Sequence, residues 1–297
     1  MRGVTLADDL ATVFDTAGAR GFVHARPVDR ADAEVGLDAD ELVVTASVFK
    51  VTVLLELARQ MAAGEIDPTE RVLVPAARRT LGPTGLSVML DDVDLSVRDL
   101  AFMMMSVSDN TATDVLMERV GAARIAATLE SLGLGRTVVP EDCAALLAGL
   151  ADDLGIDRED DAPVVFADLD PQLVAKARAL DPSQTNRTTP RQMTRLLSLI
   201  WTDQAGPPEA CAEVRRIMAL QVWPHRLTAG FPDGVSVAGK TGTLPGIRNE
   251  CGVVTYPDGS QYAVAVFTIA RSLAAQQPQV DAAIGTAARL AVDSLRS

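Results

Sequence analysis

The stretch Val44-Thr45-Ala46-Ser47-Val48-Phe49-Lys50-Val51-Thr52-Val53-Leu54-Leu55-Glu56-Leu57 decides how the rest of the chain is read. It is apolar on nearly every side, yet it carries a hydroxyl and an ammonium three residues apart. Burying either group is costly unless it is paired. From Ser47 to Ala63 the apolar residues run all round a helical wheel, which predicts a helix sunk in a core. Gly64 supplies its stop. At helical spacing, residues i and i+3 share a face. Ser47 and Lys50 therefore point the same way, with Ser47 at the helix N-terminus and the lysine amine within reach of its hydroxyl. The free N–H groups and dipole of a helix start favour negative charge developing there. A serine at this place can also be a plain N-cap.

The use of lysine sharpens the reading. The chain has 27 basic side chains, but its only lysines are Lys50, Lys176 and Lys240. Arginine stays charged at any working pH, whereas a desolvated lysine can act as a base. A buried lysine beside a second cation is a better base still. Lys240 opens K-T-G on a β-rich segment and would be that cation if the fold brings it close. A third piece, Ser108-Asp109-Asn110, follows an apolar helical stretch that carries Met103, Met104 and Met105.

S-x-x-K, S-D-N and K-T-G in this order form a known set: a nucleophile, a proton relay and a lysine-bearing strand. From about Val43 to the C-terminus the chain resembles a class A β-lactamase-type serine hydrolase of the penicillin-recognising superfamily. The resemblance implies that Ser47 is the acylated nucleophile, that Lys50 activates it and that Ser108 relays the proton. It implies that Asn110 holds the substrate amide and Lys50. It also implies an oxyanion hole from the backbone N–H groups of Ser47 and Thr243. Lys240, Thr241, Gly242 and the Thr243 hydroxyl would bind a substrate carboxylate. Two arginines are candidates to assist them: Arg226, upstream of the K-T-G strand, and Arg248, on the next strand. A one-residue slip would turn Arg248 to the other face. Neither histidine sits in a triad-like context; His225, beside Arg226, either lines the cleft or is structural. No cofactor or metal is called for.

The pattern breaks in one place. Relatives carry E-x-x-L-N before the T-T-P helix, and that glutamate activates the water that frees the acyl-enzyme. Here the segment from Phe166 to Pro190 has no such motif. Counting back from Thr189 puts the glutamate position near Leu173, next to Gln172. Asp168 and Asp170 are the nearest candidates for deacylation. The residues for acylation are present and the usual base for deacylation is not. The expectation is therefore a serine hydrolase acting on an ester, amide or β-lactam of a small molecule, and a weak or non-lactamase. An acyltransferase or cyclase of natural-product synthesis and an inactive binding scaffold are the alternatives.

The remaining sequence frames the fold. The 297 residues carry a net charge of −13, which excludes nucleic acid and anionic membrane as partners of a basic surface. Residues 141–170 hold ten acids and one arginine, an acidic stretch that would repel anionic penicillins. The N-terminus has acids at Asp8 and Asp9 and no continuous apolar run, so it does not read as a secretory signal, and a cytoplasmic protein is expected. Cys143, Cys211 and Cys251 show no metal or redox spacing and read as buried thiols. Leu6 to Ala17 reads as a helix, and 21–28 and 41–46 as strands. Thr189 should N-cap a helix with Pro190 at its first position and Gln192 completing a capping box. The last third alternates like strands, with Pro257-Asp258-Gly259 as a hairpin turn, before a helix over 280–295. The fold class is α+β, β-lactamase/transpeptidase-like. Residues 1–45 and 215–297 would form an α+β lobe and 46–214 an all-α lobe, with the site in the cleft between them.

Overall fold

The structure is a computed structural model and describes residues 5–30, 32–156 and 166–297. A helix, α1 (Leu6–Thr16), is N-capped by Thr5 in a full capping box with Asp8. It leads into β1 (Ala19–Pro27), β2 (Val35–Leu37) and the short β3 (Val43–Val44). A 3₁₀ turn (Ala46–Phe49) then feeds α2 (Lys50–Ala62). The antiparallel pair β4 (Arg71–Val74) and β5 (Val93–Ser96) precedes α3 (Val97–Ser106), α4 (Asn110–Val120), α5 (Ala122–Ser131) and α6 (Cys143–Leu154). A single turn, α7 (Pro171–Val174), and β6 (Arg187–Thr188) lead to α8 (Pro190–Trp201) and α9 (Pro208–Met218). The chain closes with β7 (Ser236–Leu244), β8 (Ile247–Thr255), β9 (Gln261–Ala270) and α10 (Pro278–Arg296).

Five strands form one antiparallel sheet in the order β2-β1-β9-β8-β7. Its middle pairs the two ends of the chain, from Ala19 opposite Ala270 to Pro27 opposite Tyr262. One face carries α1 and α10, packed through Leu10, Phe14, Val264, Ile284 and Ala288. The other face joins the main core, where Phe22, Val253 and Phe267 meet α2, α3, α8 and α9. Fully burying a Val, Leu or Phe side chain contributes about 1.5–3 kcal/mol, so α2, with Val51, Val53, Leu54, Leu55 and Leu57 all wholly buried, is the strongest single anchor. Helix α8 falls within the expected all-α segment, yet it packs on β1 and β9.

Local expectations fare unevenly. Thr189 does cap α8, accepting from the Gln192 N–H at 3.1 Å, and Pro190 opens that helix. Gln192 does not return the bond: its side-chain oxygen takes the Thr137 hydroxyl instead, at 3.0 Å. Residues 41–46 yield only the two residues of β3, which pairs with β6 rather than joining the main sheet. Met104 and Met105 are core filler, and Met103 is packed against the core while half-buried. All three cysteines are buried free thiols. No helix among the described residues is long and apolar enough to cross a membrane, and no group of metal-ligating side chains occurs among them.

Candidate active site

Ser47 lies in the 3₁₀ turn rather than in the first α-helical turn. Ala46, just before it, has φ of +45°, a conformation a non-glycine residue adopts only when its surroundings enforce it. Asn249 on β8 donates to the carbonyls of Val44 and Thr45, at 2.9 and 3.3 Å, and Thr45 N–H is held by the Asn186 carbonyl at 3.0 Å. Strand β7 passes hard against this turn. A Cβ on Gly242 would fall 2.6 Å from the Thr45 carbonyl oxygen and 3.2 Å from the Ser47 nitrogen. Only glycine lets the backbones approach so closely. Thr243 follows at once, exposed at the cleft surface. The backbones that carry the N–H groups of Ser47 and Thr243 are thus brought side by side.

Lys50 is wholly buried at the start of α2. The sequence puts its amine on Ser47, but the amine goes elsewhere. It donates to the Ser108 carbonyl at 2.7 Å and to Asn110 Oδ1 at 2.8 Å, and lies 3.4 Å from Ser108 Oγ. Carbonyl and amide oxygens can only accept, so they match a buried donor better than a hydroxyl does. Lys240 is also wholly buried and donates to Ser108 Oγ at 2.9 Å and to the Thr241 carbonyl at 2.9 Å. Ser108 Oγ therefore sits between two amines. Burial pushes both lysines below their ordinary value, and for Lys240 the charge of Lys50 adds to the effect. Ser108 has φ of +64°, a second strained residue, fixed because its neighbour Asp109 N-caps α4 and takes the Leu86 N–H.

Arg226 is buried and holds this corner together. It donates to Asp281 at 2.7 Å, to the carbonyls of Gly242 and Asn249 at 3.0 and 2.8 Å, and to the Thr243 hydroxyl at 2.8 Å. Gly285 lets α10 come this near: a Cβ there would lie 2.5 Å from the Arg226 carbonyl oxygen. Arg248 stands opposite Thr243 in the β7–β8 register and reaches the cleft. Its guanidinium also pairs with Asp281, at 3.1 Å, and with the Ala275 carbonyl. The structure thus brings both arginine candidates to one carboxylate. His225 is exposed and stacks edge-on to Trp223; it does not line the cleft.

The candidate deacylating residues are not brought in. Asp168 and Asp170 are both exposed, and Asp170 N-caps α7 through the Gln172 N–H at 2.9 Å. Leu173, nearest the expected glutamate position, is 41% exposed on α7. The cleft beside Ser47 is about 510 Å³ and is lined by Phe49, Asn110, Cys143, Leu147, Thr243 and Arg248 among others, with no carboxylate among its described lining residues. Part of the acidic stretch, residues 157–165, lies outside the described residues. A larger cavity of about 620 Å³ lies behind α4, around Val72, Arg78 and Asp114, and holds none of the motif residues.

No motif marks the braces behind the site. Gln221 Oε1 accepts the Thr241 N–H at 2.8 Å while its amide donates to Glu250 at 2.6 Å. Glu250, wholly buried, also takes the Leu227 N–H at 2.7 Å, and burial raises its pKa. Asn249 and Asp281 likewise carry no motif.

A five-stranded antiparallel sheet flanked by helices in this arrangement is a β-lactamase/transpeptidase-like fold. The chain belongs to the beta-lactamase enzyme family, whose model matches residues 5–295. A beta-lactamase regulatory protein, BlaB of Streptomyces cacaoi, is 32% identical over 281 residues, covering 89% of each chain. The extended-spectrum beta-lactamase PER-1 of Pseudomonas aeruginosa is 27% identical over 232 residues, 74% of this chain and 66% of that one. Among solved structures, a beta-lactamase from Sphaerobacter thermophilus superposes with a TM-score of 0.77 at 23% identity, covering 98% of this chain and 97% of its own. An acyl-enzyme complex of a point mutant of PBP-A with penicillin G superposes at 0.76 with 19% identity, covering 98% and 96%. These structural likenesses bear on the fold.

Proposed function

We propose that the chain is a serine acyl hydrolase that forms an acyl-enzyme at Ser47 with an ester, amide or β-lactam and clears it slowly. The observation that carries this reading is Ser108 Oγ held between two wholly buried lysines beneath a cleft that Ser47 lines. In this scheme Lys50 turns from Ser108 and Asn110 towards Ser47 when substrate enters; Ser47 Oγ attacks the substrate carbonyl and its proton passes to the Lys50 amine, whose pKa burial lowers. The carbonyl oxygen becomes an oxyanion held by the N–H groups of Ser47 and Thr243. Each such donor supplies about 3 kcal/mol of transition-state stabilisation. The proton continues through Ser108 to the leaving group as the scissile bond breaks. Asn110 lines the cleft, Thr241 and Gly242 lie buried on the strand that leads to Thr243, and Lys240 holds the relay. Thr243, whose hydroxyl accepts from Arg226, would receive a carboxylate on the leaving-group side of the substrate.

Hydrolysis of the acyl-enzyme needs an activated water, and no carboxylate lines the described cleft. Intact-mass spectrometry after mixing with penicillins and small esters tests the reading. The expected result is an adduct on the wild type that builds within minutes and decays slowly, and none on Ser47→Ala. An equal adduct on Ser47→Ala rejects it. The same missing carboxylate favours a second reading, a sensor that stays acylated, in keeping with the regulatory name of the S. cacaoi relative. Nitrocefin separates the two: steady turnover supports the hydrolase, and a single-turnover burst supports the sensor.

A further inference from the structure

The cleft wall facing Ser47 is apolar, and helix α6 builds it. Leu146, Leu150 and Leu154 recur every four residues and sink into a satellite core with Val174, Ala177 and Ala179. A second stripe, Cys143 and Leu147 with Leu150, reaches the cleft. Leu244 at the end of β7 and Leu273 after β9 close the same wall from the far side. Leu147, Leu244 and Leu273 remain half-buried. The one charged side chain among the described lining residues is Arg248, whose terminal nitrogens are held by Asp281 and Ala275. A cleft with this wall has nothing on that side to pair with a charge, and desolvating an unpaired charge is expensive.

We infer that this site selects an uncharged aliphatic acyl group, laid along Leu147, Leu150, Leu244 and Leu273 while its carbonyl sits at Ser47. The inference rests on the acyl-enzyme reading above and adds the substrate class. Methylenes that cover half-buried leucines gain free energy with each carbon. With p-nitrophenyl esters as probes, the Ser47 oxygen–carbon bond forms and the ester carbon–oxygen bond breaks. The nitrophenol leaves with the proton that Ser47 gave up.

The test is the second-order rate of Ser47 acylation by p-nitrophenyl acetate, butyrate and hexanoate, read as the nitrophenol burst and the matching mass shift. The rate is expected to rise about three- to fourfold per methylene. An ester of butyrate's length that ends in a carboxylate, the hemisuccinate, is expected to react at least tenfold more slowly than butyrate. Leu147→Asp and Leu244→Asp, on two separate elements, should each lower the hexanoate-to-acetate ratio at least tenfold. A ratio cancels any loss of folded protein. A flat chain-length series, or a hemisuccinate as fast as butyrate, on a chain that does acylate at Ser47 overturns the inference and leaves the acyl-enzyme reading standing. No adduct with any of these esters or with the penicillins overturns that reading itself.

Discussion

Arg226 Nε donates to Asp281 Oδ1 at 2.7 Å, and both side chains are almost fully withdrawn from water. Asp281 also holds Arg248, so one carboxylate balances two buried guanidiniums. Removing one partner of a buried pair costs about 3–5 kcal/mol because it strands the other charge. Asp281→Ala is therefore expected to lower the melting temperature by roughly 6–15 °C, measured by calorimetry. A loss below about 2 °C would mean that the guanidiniums find solvent instead.

Lys50 is the base in the proposed scheme, and arginine cannot give up its proton in this range. Lys50→Arg should reduce the acylation rate by about 10²–10⁴. In the wild type the rate should climb with pH along a limb set by a lysine titrating below its ordinary 10.5, because the neutral amine is the working form. Stopped-flow acylation from pH 6 to 10 reads both. A pH-independent rate would remove Lys50 from the role of base.

Gly242→Ala places a Cβ 2.6 Å from the Thr45 carbonyl. The strand must back away from the turn, and with it the Thr243 N–H. Loss of one oxyanion donor costs about 10²–10³ in rate. Acylation should fall by that factor while circular dichroism stays unchanged.

His24 is 1% exposed. Its Nδ1 meets the Thr194 hydroxyl at 2.6 Å, and Glu34 and Arg191 face its Nε2 at 3.3 and 3.1 Å. Burial, then the charge of Arg191, lowers its pKa from 6.5 to about 4, against the pull of Glu34; Arg26 adds to the lowering. Between those values the unfolded chain binds the proton and the folded chain does not, so stability rises with pH across this window and is lost on acidification. The full shift corresponds to a loss on the order of 3 kcal/mol between pH 7 and 4. Buried Glu250 and half-buried Asp114, whose pKa values are raised, act in the opposite sense. The comparison of wild type with His24→Gln isolates the histidine: urea midpoints should converge as pH falls towards 4. Parallel curves would show that the ring does not titrate alone.

Much of this site could be read from short motifs because their spacing is local or their order is fixed. Lys50, Ser108 and Lys240 converge as the order of their motifs predicts, and Pro257-Asp258-Gly259 lies between β8 and β9. What could not be read depends on partners far along the chain. Lys50 leaves Ser47 for Ser108 and Asn110, some sixty positions on. Arg226 and Arg248 share Asp281, on a helix whose sequence advertises only amphipathicity. Asn249 pins the Ser47 turn from two hundred residues away, and no periodicity marks it. Asp168 and Asp170 are exposed and outside the described cleft lining, because proximity in sequence to a lost motif says nothing about which way a loop faces.

The pairing of Ala19 with Ala270 and the rest of that register has a consequence for the order in which the molecule comes into being. Lys50 leaves the ribosome long before Lys240, by about 10–40 s at ~5–20 residues per second. Throughout that interval the helices around α2 can gather, but β1 waits for β9 and Ser47 waits for the strand that carries Gly242. Under the proposed acyl-enzyme scheme the nascent chain is silent until its last strands arrive, so a product released early would hold an intact S-x-x-K without the turn that sets Ser47.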